Sequence, residues 1–338
     1  MEAVRALVLA GLLVACAVPV GAGLLRLAGL EAKDAAGAAE RWLLAATAGL
    51  GGIASVYTLL GLAGLFVPAV VLATPVALAA GALLPARRFL AFDGATPARA
   101  LARLTHVGRR GSYRWALRPQ PPAPSAPHPG TRRAFPFAGG GALSPPVGEG
   151  PSARLTHAGV PVAGFALLFL AGAVLVQDLA PPTDYDGLLY HLVAPRAFLD
   201  AGRIVYLPHN FSANLPAFGE LLFAFGLAGA SDRAPQLVHA AAGGLASGLT
   251  YTFGARLVGR RPAFWGAAAF AATPLVPFLA TRAYIDLFTV LFGLVAVAGV
   301  LIWHETGRWA WLRIAGAAAG LALATKYSAA TLVLVLGV

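Results

Sequence analysis

The sequence predicts an all-α polytopic membrane protein, and three observations predict it. Hydrophobic residues make up 58% of the chain and the mean hydropathy is +0.74. Apolar runs long enough to cross a bilayer, which takes about 20 helical residues, recur along its length. Only 12% of residues are charged, and they collect between the runs rather than inside them. A water-soluble core of this length would not need so much apolar surface.

The formal charge of +11 raises nucleic acid as a partner, and its placement excludes it. Most of the excess is arginine between residues 87 and 154, beside predicted spans, which fits the positive-inside bias and anionic lipid headgroups. Membrane lipid is the expected neighbour. Cys16 is the lone cysteine, so there is no disulfide framework and no thiolate metal site. Lys33 and Lys326 are the only lysines in an arginine-rich chain, a bias that makes a retained lysine worth notice.

Residues 4–25 form the first expected span. Leu13-Val14-Ala15-Cys16 resembles a lipoprotein cleavage box, but the apolar run continues past Cys16, as an ordinary membrane helix does. Residues 26–41 are a short mixed-charge connection. The uncharged tract 42–84 has room for two spans, with a turn at 61–68, and Arg87-Arg88 ends it on the expected cytoplasmic side. This first region, 1–84, is followed by 85–158, where arginine dominates and Pro, Gly, Ala and Ser are frequent; such a stretch is expected to be disordered. Within it 102–108 (ARLTHVG) nearly repeats as 153–159 (ARLTHAG), and His106 and His157 receive no role.

The third region is 159–338. Charge sets its expected topology. Residues 160–179 run outward and leave Asp184 and Asp186 outside. Residues 218–230 are too short to span and read as a helix lying in or dipping into the interface. Residues 236–257 return inward to Arg256, Arg260 and Arg261, 262–280 go out, 287–303 come back, and 309–324 go out to Lys326. Asp184, Asp186, Asp286 and Lys326, from three separated segments, then share one face. The run 328–338 is too short for a span, so a longer protein is expected.

Residues 180–220 carry the chemistry. Asp184, Asp186, His191, Arg196, Asp200, Arg203, His209 and Glu220 lie among apolar residues. Asp184 and Asp186 share a face if extended and diverge in a helix. Asp186 stands where a helix cap belongs, before Gly-Leu-Leu-Tyr-His-Leu, and capping alone accounts equally for Asp286. His191 is five residues on, off the i, i+4 facing of a two-ligand metal site, so a structural hydrogen bond suits it better. Glu220 suits orientation or anchoring as well as function. Lys326 either snorkels or meets a phosphate as a point charge.

The pattern D-x-D-G-L-L-Y-H-L at 184–192, P-R-x-F-L-x-x-G-R-I at 195–204, L-P-x-N-F at 207–211, N-L-P at 214–216 and E-L-L at 220–222 continues as A-Y-I-D-L at 283–287 and G-L-A-x-A-T-K-Y at 320–327. It resembles the GT-C membrane glycosyltransferases, closest to the family 39-like branch of protein O-mannosyltransferases and the lipid A aminoarabinose transferase, in a bacterial subgroup with the Tyr-His-Leu loop. The resemblance covers 160–338. It implies a GT-C-like helix bundle with amphipathic helices in the first external loop, in the bacterial plasma membrane with its site on the extracytoplasmic face. It also implies a polyprenyl-phosphate-linked sugar donor, an extracytoplasmic acceptor and inversion at the anomeric carbon. Asp186 maps to the general base, with Asp184 as the alternative, and Asp286 maps to the second-loop acid. Lys326, Arg203 and Arg282 could meet the lipid phosphate, and Tyr190, His191 and Glu220 fall in the substrate-binding loop. No organic cofactor is implied; a divalent metal is left open, since some relatives use one and others do not. Where several relatives carry Lys-Pro-Pro, this chain has Asn214-Leu215-Pro216. A transporter or flippase of a lipid-linked or anionic substrate is the alternative from another class, although transporters usually place ionisable groups near the bilayer midplane. An inactive relative that binds polyprenyl lipid is the third.

Overall fold

The computed structural model describes residues 1–90 and 151–337. Two compact units divide the chain, Met1–Asp93 with Val162–Val338, and Gly94–Pro161. In the second unit the described part, 151–161, is helical; the basic, Pro-rich stretch expected to be disordered lies mostly outside the described residues.

The chain is all-α, without a strand among the described residues. Its helices in order are α1 (Glu2–Leu27), α2 (Ala38–Leu62), α3 (Pro68–Leu90), α4 (Pro151–Asp178), α5 (Val193–Ala201), α6 (Glu220–Ala228), α7 (Ala234–Leu257), α8 (Arg260–Ala272), α9 (Leu275–Ala280), α10 (Asp286–Thr306), α11 (Trp309–Thr325) and α12 (Ala330–Leu336). Among the described residues four stretches are long and apolar enough to cross a membrane: α1, α2, Gly159–Asp178 within α4, and α10. Helices α3 and α4 each run into the region expected to be loop, reaching Leu90 and starting at Pro151.

In the larger unit α1 packs along α2, and small residues make that approach close. A Cβ on Gly21 would strike the Ala45 carbonyl, and one on Gly49 would strike the Ala17 carbonyl. Backbones this near are how apolar helices associate where lipid competes for side-chain contacts. Helices α10 and α11 form a second antiparallel pair, and α7 lies against α1, α2 and α10.

Two expectations need correction. The short helix over 218–230 does not lie at an interface: α6 has Glu220 through Gly226 buried and packs against α5, α7, α3 and α2. A helix apolar on all sides has no wet face to offer an interface and is stable only when enclosed. The span expected at 262–280 is broken into α8 and α9 by Thr273 and Pro274. Proline removes a donor and disfavours helical geometry in the residue before it, and Thr273 accordingly leaves the helix at ψ 123°.

The two ends of α10 define two polar regions. Its 21 residues span about 30 Å at 1.5 Å per residue. Beyond its C-terminus Arg308 reaches Asp34 at 2.8 Å, and nearby Arg256 reaches Glu40 at 3.3 Å. At its N-terminus lies Asp286, with Lys326 from the end of α11.

Candidate active site

The first loop begins where α4 ends. After Pro181-Pro182 the chain is extended to Asp184, whose Oδ2 accepts the Gly187 N–H at 2.7 Å. Gly187 is required there, since a Cβ would run into the Asp184 carboxylate. The cap expected of Asp186 is therefore supplied by Asp184. Asp186 already has helical φ and ψ and caps nothing, so its carboxylate is free of backbone duty. The chain winds on as a π-turn, Gly187–His191, and then α5, which stops at Gly202 in the left-handed region (φ 67°). π-Turns often mark functional sites.

The π-turn carries His191 inward. Its Nδ1–H donates to Glu220 Oε1 at 2.8 Å, with the two residues 3% and 5% exposed. Both are enclosed, and their contact joins the loop to the N-terminus of α6. The second oxygen of Glu220 has no hydrogen-bond partner among the described residues. Tyr190 and Tyr284 flank the imidazole, with ring centroids 4.1 and 5.3 Å away. Burial and then the neighbouring Asp186 carboxylate push the Tyr190 hydroxyl up to about 12. Burial raises Tyr284 as well, followed by Asp186 and Asp184. Tyr284 thus ties the first loop to the segment that leads into Asp286, two residues on.

Lys326 Nζ donates to Asp286 Oδ1 at 2.7 Å, with side chains 43% and 30% exposed. Lys326 leaves α11 in an extended conformation, which turns it toward the first residue of α10. The three segments that hold Asp184 and Asp186, Asp286, and Lys326 therefore meet at one end of the bundle.

The remaining candidates divide. Arg282 lines a cavity with Asp184, and its guanidinium donates to the Phe278 carbonyl and the Thr281 hydroxyl while lying over the Phe278 ring. Arg203 is exposed just after α5, and no hydrogen bond or ion pair joins it to the other candidates among the described residues. Arg196, Asp200 and His209 are exposed.

Two residues have structural duties at the site; His239 went unnoticed in the sequence, and Asn214 was marked only as a departure from the family pattern. His239 on α7 is fully buried and caps two helices at once. Its Nδ1–H donates to the carbonyls of Arg282 (2.8 Å) and Leu279 (3.0 Å), and its Nε2 accepts the Leu287 N–H at 3.0 Å. That set of partners requires the neutral Nδ1–H tautomer and fixes the backbone on either side of Asp286. A histidine inside an expected span was the available signal. Asn214 clasps the loop: its Nδ2 donates to the carbonyls of Leu207 and Asn210, and its Oδ1 accepts the Leu207 N–H. The position where relatives carry lysine is thus committed to holding the loop closed.

Among the described residues no group of three or more His, Cys, Asp or Glu is placed to hold a metal ion, so no step is routed through one.

An all-α bundle of membrane-length helices, here with carboxylates and a lysine gathered at one end, is the architecture of a polytopic membrane protein. Residues 220–337 match the family model described as dolichyl-phosphate-mannose-protein mannosyltransferase, a stretch that takes in Glu220, Asp286 and Lys326. The match supports a membrane glycosyltransferase of the GT-C type. No curated protein and no solved structure matches the chain.

Proposed function

We propose that the protein transfers a sugar from a polyprenyl-phosphate donor to an acceptor hydroxyl at the extracytoplasmic face of a bacterial plasma membrane, with inversion at the anomeric carbon. Asp186 is the general base. It takes the proton of the acceptor hydroxyl as that oxygen forms its bond to the anomeric carbon, and the bond from carbon to phosphate oxygen breaks, the electron pair leaving with the lipid phosphate. Lys326 stabilises the negative charge that grows on the departing phosphate. Asp286 aims Lys326, and the neighbouring Tyr190 steadies Asp186.

One observation carries this reading. A carboxylate free of capping duty and a half-exposed lysine, from segments about 140 residues apart, stand at the same end of the bundle, joined through Tyr284 and Asp286. Substrate charge can be met there at the edge of the bilayer.

The test uses the full-length chain in proteoliposomes with a radiolabelled polyprenyl-phosphate sugar and envelope extract as acceptor. Asp186→Asn is expected to lower transfer by about 10²- to 10⁴-fold while the thermal unfolding midpoint stays in place. Full transfer by that variant would reject the assignment.

A further inference from the structure

Two cavities lie side by side along the C-terminal half of α4. The first, about 600 Å³, is an apolar slot between α4 and helices α7, α8 and α9, lined by Leu170, Val174, Ala240, Gly244, Phe264 and Ala268 among others. The second, about 560 Å³, is polar, with Gln177, Thr183, Asp184, Gln236, Thr281 and Arg282 in its wall. Leu170, Val174 and Pro277 belong to both walls, so the two are contiguous. The outer surface of α4 is open: Phe165, Leu168, Phe169 and Val176 are all more than two-thirds exposed.

The seam between the cavities holds polar groups without partners. Asp178, in the wall of the slot, is 0% exposed, and Gln236, in the wall of the polar cavity, is 2% exposed. Neither oxygen of the Asp178 carboxyl and not the Gln236 side-chain oxygen makes a hydrogen bond among the described residues. Gln236 stands beside Asp178. Buried polar atoms are nearly always satisfied, because an unmade hydrogen bond away from water costs about 1–3 kcal/mol. Three acceptor atoms at one seam call for a ligand that donates.

Charge selects the kind of ligand. The polar cavity opposes one guanidinium, already engaged with Phe278 and Thr281, to the Asp184 carboxylate and the neighbouring Asp178 carboxyl. That balance offers an anionic headgroup no net attraction, whereas hydroxyls can donate to carboxyl and amide oxygens alike. The apolar slot behind the cavity suits a hydrocarbon chain at membrane depth. A soluble peptide acceptor would leave it empty.

We infer that the joined cavities bind the acceptor of the proposed transfer, and that this acceptor is a lipid with an uncharged, hydroxyl-bearing headgroup. The chain lies in the slot, the headgroup sits beside Asp184, two residues from the base, and its hydroxyls donate to Asp178 and Gln236. Calling this ligand the acceptor rests on the glycosyltransferase reading; its binding does not.

The experiment uses the full-length chain in phosphatidylcholine nanodiscs and monoglucosyl-diacylglycerol with a photoreactive diazirine in one acyl chain. Irradiation is expected to label peptides covering 167–175 or 237–247. Excess unlabelled monoglucosyl-diacylglycerol should suppress labelling, while glucose and polyprenyl phosphate at equal concentration should not. Gly244→Leu is the informative variant, because Gly244 lines the slot and a Cβ there meets nothing within 4 Å. Because only the Cβ position is known to be open, the unfolding midpoint is measured beside it; labelling is expected to fall about tenfold at an unchanged midpoint, as it is for Asp178→Ala. Labelling that survives Gly244→Leu, or that is displaced by polyprenyl phosphate or by glucose, overturns the proposal. Sugar transfer to peptide or polysaccharide without glycolipid labelling would also sink the lipid acceptor and leave the glycosyltransferase standing. Labelling that behaves as expected, with no transfer from any donor, would keep the site and remove the enzyme.

Discussion

The two polar ends of the bundle use similar residues to opposite effect. At the end of α10 marked by Arg308, the charges are buried and paired with one another. Asp34 accepts from Arg308 and from the Glu31 N–H, while Arg256 holds both the Asp34 carbonyl and Glu40 and lies over the Trp311 ring at 5.3 Å. Asp34 and Glu40 are buried. At the Asp286 end the ionisable groups are half-exposed and under-occupied: Asp286 has Lys326, Asp184 has one backbone N–H, and Asp186 has Tyr190. A buried, paired cluster holds the fold together, because its charges are enclosed away from anything outside. An under-saturated one keeps acceptor and cation capacity for a substrate, and for that reason contributes little to stability.

The sharpest way to break this comparison is to remove a charge from the buried, paired end. Glu40→Ala leaves Arg256 with an uncompensated charge and is expected to cost about 3–5 kcal/mol of stability, read as a lowered unfolding midpoint in detergent, with transfer per folded molecule unchanged. Loss of transfer without loss of stability would erase the distinction. At the other end the pattern should invert. Lys326→Ala is expected to lower transfer about 10²-fold with a stability change below about 1 kcal/mol, because the pair with Asp286 is half-exposed. Lys326→Arg should recover part of the rate by keeping the charge.

The His191–Glu220 pair lies between these cases, buried like the first cluster yet attached to the reactive loop. His191→Ala and Glu220→Ala are each expected to reduce kcat about tenfold with the donor KM unchanged, and the double variant should lose little more, a coupling of about 1–3 kcal/mol. Simple additivity would mean that the two do not act as one latch. A smaller effect belongs to Gly187→Ala, whose Cβ collides with the Asp184 carboxylate and breaks the cap. It should cost about 1 kcal/mol and reduce kcat, whereas Gly266→Ala, with nothing within 4 Å of its Cβ, should do neither.

The smallest effect is a pH effect. Tyr190 is raised in the folded state to about 12, above its ordinary value, so its contribution to stability is complete below the ordinary value and is lost as pH climbs through about 12. Its tyrosinate absorbance should appear late in an alkaline titration, and Asp186→Asn should bring it down. A Tyr190 that ionises like an exposed tyrosine would remove the influence of Asp186 on it.

Much of the fold was legible because the hydrophobic effect writes itself into composition. The all-α class follows from long apolar runs, and the turn between α2 and α3 falls inside the expected 61–68, where Gly64 adopts φ 75°. What misled was local. The cap looked like Asp186 because it adjoins the helix-like run, but the helical winding begins at Tyr185, one residue earlier, so that Asp184 takes the cap position and meets Gly187. The helix at 218–230 was placed by its length alone, and its uniform apolarity was the better guide. Of the candidate site, Asp184, Asp186, Asp286 and Lys326 stood out as ionisable groups at span ends, while His239 did not, since its work is done on backbone atoms 40 or more residues away in sequence.

The sequence by itself determined that the chain is helical, belongs in a membrane, and keeps its ionisable groups at the ends of its spans, because each of these follows from transfer free energies summed over short stretches. Only the tertiary structure decided which of those groups touch. Lys326 meets Asp286 across 40 residues, His191 meets Glu220 across 29, and Asp178 is sealed at the seam of two cavities with no partner of its own. Contacts of that kind depend on how helices cross and where they break, which packing settles between distant segments and no local stretch encodes.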